Sequence, residues 1–137
     1  MGFLIDTDIW VAVERGSLAI ADIHAVTGAD PMFLSPVNVA ELQMGIELVE
    51  DENTRRKALA SMRRLRRKPL LRIDHRTGEV FGRLAGGLRK QGRGEEFRVM
   101  DLWLAAQAVQ RNFKLLTFNE RHFKDVPDLK LIVLRHP

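Results

Sequence analysis

Three acids and one amide, Asp6, Glu41, Asp101 and Asn119, occupy positions where carboxylate chemistry could take place. Asp6 follows the apolar residues 3–5, which predict a short, fully buried strand. In open α/β sheets ligands bind beyond the carboxyl ends of the strands, so Asp6 would stand where active sites usually lie. Capping of the following helix by Asp6 or Thr7 explains this segment equally well.

Glu41 lies in the segment Asn38-Val39-Ala40-Glu41. Asn38 at an N-cap and Glu41 three residues later would form a capping box, with Asn in place of Ser or Thr. The first turn of a helix that leaves a sheet also faces the crevice at the carboxyl ends of the strands. A capping role and a site role for Glu41 are therefore compatible.

Asp101 carries the most informative signal. In a helix it would lie on a face of apolar and small residues, namely Leu104, Ala105 and Ala108. The polar residues of the segment fall on the opposite side, namely Gln107, Gln110 and Arg111, and Trp103 points to that polar side, where a covering loop is expected. A carboxylate on an apolar face needs a cation, a proton or hydrogen-bond donors. The alternative is that Asp101 is an N-cap residue.

The segment Leu116 to Phe123 again places polar residues after a strand, which puts Thr117 and Asn119 in the same crevice as Asp6. A turn built by Asn119 is the alternative. Three acids at one crevice repel and raise one another's pKa values. A hard cation such as Mg²⁺ or Mn²⁺, held by one or two carboxylates and water, removes that conflict and activates water for phosphodiester cleavage. The histidines lack paired spacing, so zinc has little support.

The elements that must position these residues alternate between strands and helices. Strands are predicted over 3–5, 32–34, 70–73, 114–117 and 131–134. Helices are predicted over 9–26 with a break near 16–17, from Val39 to about Glu50, through the basic stretch to Pro69, from Asp74 to the glycines at 92 and 94, and over 99–112. This alternation favours an α/β fold, a three-layer sandwich with a mostly parallel central sheet, as one domain over residues 1–137.

Composition narrows the class of protein. The absence of cysteine excludes disulfides and thiolate metal sites and fits a reducing, cytosolic compartment. The chain has 22 Lys and Arg against 18 Asp and Glu, a net charge of +4, which favours acidic partners such as nucleic acid. Residues 55–72 contain no acid, as expected of a surface that faces phosphates or of a solvated helix face. No apolar run suits a membrane span or a signal peptide.

The chain resembles the PIN-domain ribonucleases, and among them the VapC-type toxins of bacterial toxin-antitoxin pairs. LIDTDIW resembles the opening strand and first acid of that family, and SPVNVAELQMGI resembles the segment with the second acid. Residues 94–101 followed by LWLAAQA resemble the third block, and LLTFNERHF with VPDLKLI resembles the ending. The resemblance implies an endoribonuclease that depends on Mg²⁺ or Mn²⁺, a homodimer, and a VapB-type antitoxin whose C-terminal segment occupies the basic groove.

The resemblance also implies a role for each acid. Asp6 and Asp101 would be the principal metal ligands, and Glu41 would bind a metal directly or through water, or orient the attacking hydroxide. Many members have an acid at the fourth position, where Asn119 can hold a water or a substrate oxygen but supplies no charge. Asn38 stands where Ser or Thr is commoner.

Two other functions fit parts of the sequence. Asp6-Thr7-Asp8 matches the Asp-x-Asp start of the haloacid-dehalogenase-like phosphatases, but Trp10 stands where Thr or Val is expected, and no Gly-Asp-x-x-x-Asp block follows. The other alternative is a non-catalytic basic module that binds RNA or a protein and whose acids only cap helices.

Overall fold

A sheet of parallel strands forms the centre of the protein in a computed structural model that describes residues 1–93 and 98–137. The strands are β1 (Phe3–Ile5), β2 (Met32–Phe33), β3 (Lys114–Thr117) and β4 (Lys130–Val133). Their order across the sheet is β2-β1-β3-β4, so β1 and β3 are the central pair. The predicted α/β fold with a parallel central sheet is confirmed.

Helices make the crossover connections that parallel neighbours require. Between β1 and β2 lie α1 (Thr7–Glu14) and α2 (Ile20–Thr27). Between β2 and β3 lie α3 (Pro36–Leu48), α4 (Glu52–Leu65), α5 (His75–Lys90) and α6 (Val99–Arg111), and α7 (Glu120–Phe123) joins β3 to β4. Within the described ranges, none of these helices is long and apolar enough to cross a bilayer.

Alternate side chains of the central strands enter two different cores, as the pleat of a strand requires. Leu4 and Leu115 lie in one core with residues of α5 and α6, whereas Ile5 and Leu116 lie in the other with residues of α1, α2 and α4. All four side chains are fully buried. The sheet therefore has helices on both faces, which is why its strands are short apolar runs rather than alternating ones.

The strand predicted over residues 70–73 is wrong. Leu70 forms one parallel bridge with Leu34, and no longer ladder follows in this part of the described chain. The carbonyl oxygens of Leu71 and Arg72 instead accept hydrogen bonds from Nε2 of Gln107, at 2.8 and 3.3 Å. The side chain of Gln107 thus binds carbonyl oxygens that, in a longer strand, would accept hydrogen bonds from the neighbouring strand.

The polar side predicted for α6 is wrong at Gln107, although Arg111 is exposed and Gln110 half-buried. Gln107 is fully buried, and its Oε1 accepts a hydrogen bond from Oγ of Ser35. Trp103 stacks on Phe81 of α5, with ring centroids 4.1 Å apart, and is covered by that helix and not by a loop. Since α6 is packed between the sheet and α5, two of its sides are buried, and a pattern with a single apolar face does not describe it.

Some of the helix ends predicted from single residues are found in the structure. Asp74 caps α5 as predicted, because its Oδ1 accepts a hydrogen bond from the backbone N–H of Thr77 at 3.0 Å. Gly28 ends α2 with a φ of 59°, and Gly92 follows α5 with a φ of 76°, a left-handed region that favours glycine. The predicted contribution of Gly94 lies outside the described residues.

Candidate active site

Asp6 lies directly beyond β1, at the carboxyl edge of the sheet. Its Oδ1 accepts a hydrogen bond from the backbone N–H of Thr7 at 2.9 Å and so caps α1. Its Oδ2 accepts one from Oγ1 of Thr117, at the end of the neighbouring strand, at 2.7 Å. Asp6 is only 5 % exposed. Both explanations of this segment therefore hold together, since the capping acid also stands at the edge where ligands bind in such sheets.

Ser35, and not Asn38, is the N-cap of α3, so the capping box predicted for Asn38 and Glu41 is wrong. Oγ of Ser35 accepts a hydrogen bond from the backbone N–H of Val37, and Oδ1 of Asn38 accepts one from the backbone N–H of Ser35. Pro36 favours this boundary because its fixed φ and missing N–H suit the first helical position. Glu41 lies farther along the helix and does not cap it.

Glu41 is connected to the end of β1 through Thr7. Oγ1 of Thr7 donates a hydrogen bond to Oε1 of Glu41 at 2.8 Å and accepts one from Nδ2 of Asn38 at 2.9 Å. The same Nδ2 donates to the carbonyl oxygen of Ile5 at 3.1 Å. Asn38 is fully buried. These contacts hold the start of α3 against the strand that carries Asp6.

Asp101 is buried in the first turn of α6. Arg98 is the N-cap of this helix, so the alternative that Asp101 itself is the N-cap is wrong. Asp101 is 5 % exposed, and among the described residues its Oδ2 has no hydrogen-bond partner. The nearest ionisable nitrogens are Nδ1 of His122 at 3.1 Å and Nε of Arg98 at 3.7 Å. The predicted burial of this carboxylate is thus found, together with an oxygen that lacks a hydrogen bond.

Asn119 lies at the same edge, nearer to solvent. Its backbone N–H donates to Oγ1 of Thr117 at 3.0 Å, and its Nδ2 donates to Oδ2 of Asp8 at 3.3 Å. The side chain of Asn119 is therefore joined to Asp8 and not directly to the three predicted acids. Asn119 borders the crevice, as predicted, at its exposed rim.

The acids raise one another's pKa values. Burial is the main cause of the raised pKa of Asp6, to which the charge of Asp8 adds. Burial also raises the pKa of Glu41, and the charge of Asp6 adds to it. At Asp101, burial and then the charge of Asp6 raise the pKa to about 6. This pattern is typical of carboxylates that are arranged for function rather than for stability.

The donor atoms are carboxylate oxygens, the kind of ligand that a hard divalent cation prefers. Among residues 1–93 and 98–137, no group of three or more His, Cys, Asp or Glu side chains could hold a metal ion. Mg²⁺ does not need such a group, because it commonly keeps several waters and binds one or two carboxylates. Asp101 is such a carboxylate, because its Oδ2 has no hydrogen-bond partner in the described chain, and Asp6 interacts with it electrostatically.

A groove of about 620 Å³ extends from this edge between α1, α3 and α4. Thr7, Asp8 and Glu41 lie at its border with the site. Its walls are mainly apolar, formed by Val11, Leu42, Met44, Ile46, Val49, Met62 and Leu65. Its charged residues are mixed in sign, namely Asp8, Glu14, Arg15, Glu41 and Lys57. This groove is therefore mainly apolar with mixed charges, and most of the arginines of α4 point to solvent.

Comparison with known proteins identifies the family of the chain. Residues 3–129 match the PIN domain, and the chain belongs to the PIN-domain family. Within it, Ribonuclease VapC of Rickettsia bellii is 30% identical over 135 residues, which are 98% of this chain and 97% of that relative. Ribonuclease VapC5 of Mycobacterium tuberculosis is 26% identical over 83% of this chain and 80% of its own length. The resemblance stated from the sequence is confirmed.

Solved structures share the fold. VapBC2 of Rickettsia felis, bound to a DNA fragment from its promoter, matches with a TM-score of 0.83 at 22% identity and covers 98% of this chain and 99% of that chain. VapBC-1 of nontypeable Haemophilus influenzae matches with a TM-score of 0.80 at 24% identity, over 97% and 98%. Membership of the PIN family leaves the phosphatase alternative without support.

Two residues near the acids were missed from the sequence. Thr7 was considered only as a cap, although its position between two acids at a strand end was a signal that it could contact both sides of the crevice. His122 was set aside because it lacks a histidine partner at helical spacing. Its position three residues after Asn119 places it on α7, from which it reaches Asp101.

Proposed function

We propose that this protein is an endoribonuclease, the toxin of a VapBC-type toxin-antitoxin pair, which hydrolyses RNA phosphodiesters at the sheet edge that carries Asp6, Glu41 and Asp101. The observation that carries the proposal is Asp101, a carboxylate that is almost fully buried and has an oxygen without a hydrogen-bond partner in the described chain. Such burial reduces the stability of a fold, so a role in binding a cation explains it better than a role in packing.

Asp6 and Asp101 would hold Mg²⁺ or Mn²⁺, with Glu41 as a direct or water-mediated ligand or as the group that orients the attacking hydroxide. When bound, the ion would activate water and neutralise charge on the phosphate. The chain itself keeps these groups in place, because Thr117 holds Asp6 and Thr7 holds Glu41 by hydrogen bonds. The amide of Asn119 lies at the rim, where it can bind a water or a substrate oxygen.

The charge of the chain suits an RNA substrate. The net charge is +4, and several arginines of the basic stretch are exposed, including Arg56, Arg63, Arg66 and Arg67. Exposed arginines attract phosphates and release bound counterions, which favours association at low salt. A cytoplasmic location is part of the proposal, since the chain has no cysteine and its substrate would be cellular RNA.

A VapB-type antitoxin is the partner that we propose, because the structures similar to this chain include toxin-antitoxin complexes. The groove between α1, α3 and α4 supports this proposal, since its apolar walls suit the apolar face of a partner segment and its end lies at Glu41. A segment seated there would restrict access to the acids. A homodimer belongs to the same proposal, and light scattering of the purified chain tests it.

Cleavage of a mixed cellular RNA pool tests the function. The purified protein, verified by mass spectrometry to be free of antitoxin, is incubated with Mg²⁺ or Mn²⁺. We expect discrete fragments that disappear with a chelator and with Asp101→Asn. Asp22→Asn, the same change at an exposed position on α2, is the matched control and should cleave as the unchanged protein does.

Intact RNA from folded protein without antitoxin would contradict the nuclease. Binding of RNA or of a protein without cleavage would then favour the non-catalytic module.

A further inference from the structure

His122 is held beside Asp101 by the short helix that follows β3. Phe123, the next residue, is 1 % exposed and packs in the same core as Leu102 and Leu104 of α6. This anchor places Nδ1 of His122 3.1 Å from Oδ2 of Asp101. The side chain of His122 is 33 % exposed, whereas that of Asp101 is 7 % exposed. The pair therefore has one buried member and one that solvent can reach.

The two atoms have the chemistry and separation of neighbouring metal ligands. A neutral imidazole nitrogen and a carboxylate oxygen each offer a lone pair. Adjacent ligands on an octahedral ion with bonds near 2.1 Å are about 3 Å apart. The contact lacks the geometry of a hydrogen bond, because Oδ2 of Asp101 has no hydrogen-bond partner in the described chain. Lone pairs directed to a common ion would explain a short contact without that geometry.

The charged neighbour of the pair is largely exposed. Nε of Arg98 lies 3.7 Å from Oδ2 of Asp101, and the Arg98 side chain is 61 % exposed. His122 also interacts electrostatically with Asp6, and so with both acids that the proposed function assigns to the metal. Asn119, three residues earlier, supplies no charge. His122 is thus the described side chain of α7 best placed to add a ligand beside Asp101.

We propose that Asp101 and His122 form a nitrogen and oxygen ligand pair, through which the site binds Mn²⁺ in preference to Mg²⁺. This inference rests on the proposed function, since it concerns the same metal. Imidazole suits first-row transition ions, whereas Mg²⁺ prefers oxygen ligands and water. With one nitrogen ligand added, the affinity for Mn²⁺ rises while the affinity for Mg²⁺ gains little.

Pulsed electron paramagnetic resonance of the full chain loaded with Mn²⁺ tests the pair without any measurement of activity. We expect a ¹⁴N coupling typical of a directly bound imidazole in the unchanged protein. The coupling should disappear in His122→Gln and persist in His75→Gln, since His75 is exposed at the start of α5. Circular dichroism of each variant shows that it is folded.

Calorimetric titration supplies the second readout. In His122→Gln the affinity for Mn²⁺ should fall by about tenfold or more, a loss seen even for residues that only support a metal ligand. The affinity for Mg²⁺ should change little. His122→Asp, which offers oxygen in place of nitrogen, should shift the preference toward Mg²⁺.

The outcomes separate this inference from the proposed function. Bound Mn²⁺ without ¹⁴N coupling in the unchanged protein would overturn the ligand pair and leave His122 as an ionic partner of Asp101. If the same sample cleaves RNA, the ribonuclease proposal stands. Failure to bind Mn²⁺ together with intact RNA would overturn both.

Discussion

Oγ1 of Thr7 donates a hydrogen bond to Oε1 of Glu41 at 2.8 Å, which connects the residue directly after the first acid to the second acid. The same oxygen accepts a hydrogen bond from Nδ2 of Asn38. The relative position of Asp6 and Glu41 is therefore set by a hydroxyl that belongs to neither. A buried hydroxyl that both donates and accepts a hydrogen bond can fix two groups relative to each other, because only one orientation of the hydroxyl satisfies both bonds.

Replacement of Thr7 by valine removes this hydroxyl at nearly constant volume. We expect RNA cleavage to fall by about tenfold or more and the free energy of unfolding to fall by about 1–3 kcal/mol, because Asn38 loses an acceptor in a buried place. Thr7→Ser, which keeps the hydroxyl, is the control. Cleavage rates and urea unfolding of the three proteins measure both effects, and equal rates for Val and Thr would refute the positioning role.

Asn38 matters for stability more directly. Its side chain makes hydrogen bonds to Ser35, Ile5 and Thr7 while fully buried, so Asn38→Ala leaves several buried groups without partners. We expect a loss of about 2–4 kcal/mol in the free energy of unfolding, measured by urea denaturation. Gln43→Ala, on the exposed side of the same helix, should change it by no more than about 0.5 kcal/mol. Comparable losses in the two variants would contradict this account.

Asp101 should make stability fall as pH rises. Burial, followed by the charge of Asp6, raises its pKa from 3.8 to about 6 in the folded protein. Between these values the folded state binds more protons than the unfolded state, so the free energy of unfolding decreases from about pH 4 to about pH 6. Above that range the carboxyl of Asp101 is ionised in both states, so its burial continues to lower the free energy of unfolding by the same full amount. Asp101→Asn should therefore stabilise the protein at pH 7, by roughly 1–3 kcal/mol.

Thermal unfolding at pH 4 and pH 7 measures this effect. The unfolding midpoint of Asp101→Asn should exceed that of the unchanged protein at pH 7. The two midpoints should differ little at pH 4, where the carboxyl of Asp101 is largely protonated. Mn²⁺ should raise the midpoint of the unchanged protein and have less effect on the variant, because a cation that binds the folded state stabilises it. A variant that is less stable than the unchanged protein at pH 7 would show that Asp101 is paired more favourably than its burial suggests.

The apolar groove gives a prediction about inhibition. Met44 lines the groove and is 61 % exposed, whereas Leu48, on the same helix and 74 % exposed, is not among the lining residues. We expect Met44→Lys to weaken binding of the cognate VapB-type antitoxin by about tenfold while cleavage by the free protein persists. Leu48→Lys should leave both unchanged. Titration of the antitoxin into a cleavage assay measures inhibition, and equal inhibition of the two variants would place the antitoxin elsewhere.

Those parts of the fold and site that depend on local chemistry were predictable from the sequence. The run Phe3 to Ile5 could be buried only as a strand, and its end marked the edge at which Asp6 lies. The place of Asp101 on an apolar face was visible because its neighbours at helical spacing are small and apolar. These inferences need only the period of a strand or helix and the cost of burying a charge.

Predictions of structure failed where contacts with residues distant in the sequence determine the local conformation or burial. Residues 70–73 have the composition of a strand, but Gln107 takes two of their carbonyl oxygens. Gln107 itself looked like a surface residue because its partners, Ser35, Leu71 and Arg72, are distant in sequence and cannot be seen from α6 alone. The contact between His122 and Asp101 depends on the docking of α7 against α6, which no local pattern of the sequence encodes.

The hydrogen bond between Thr117 and Asp6 spans 111 positions of the chain. During synthesis β1 exists long before β3, so the N-terminal acid leaves the ribosome without the strand that completes its surroundings. The crevice can form only when nearly the whole chain is available, because its last support comes from β3. An incompletely synthesised chain is accordingly not expected to cleave the ribosomal RNA or the messenger RNA that is being translated, because the acidic site forms only when synthesis is almost complete.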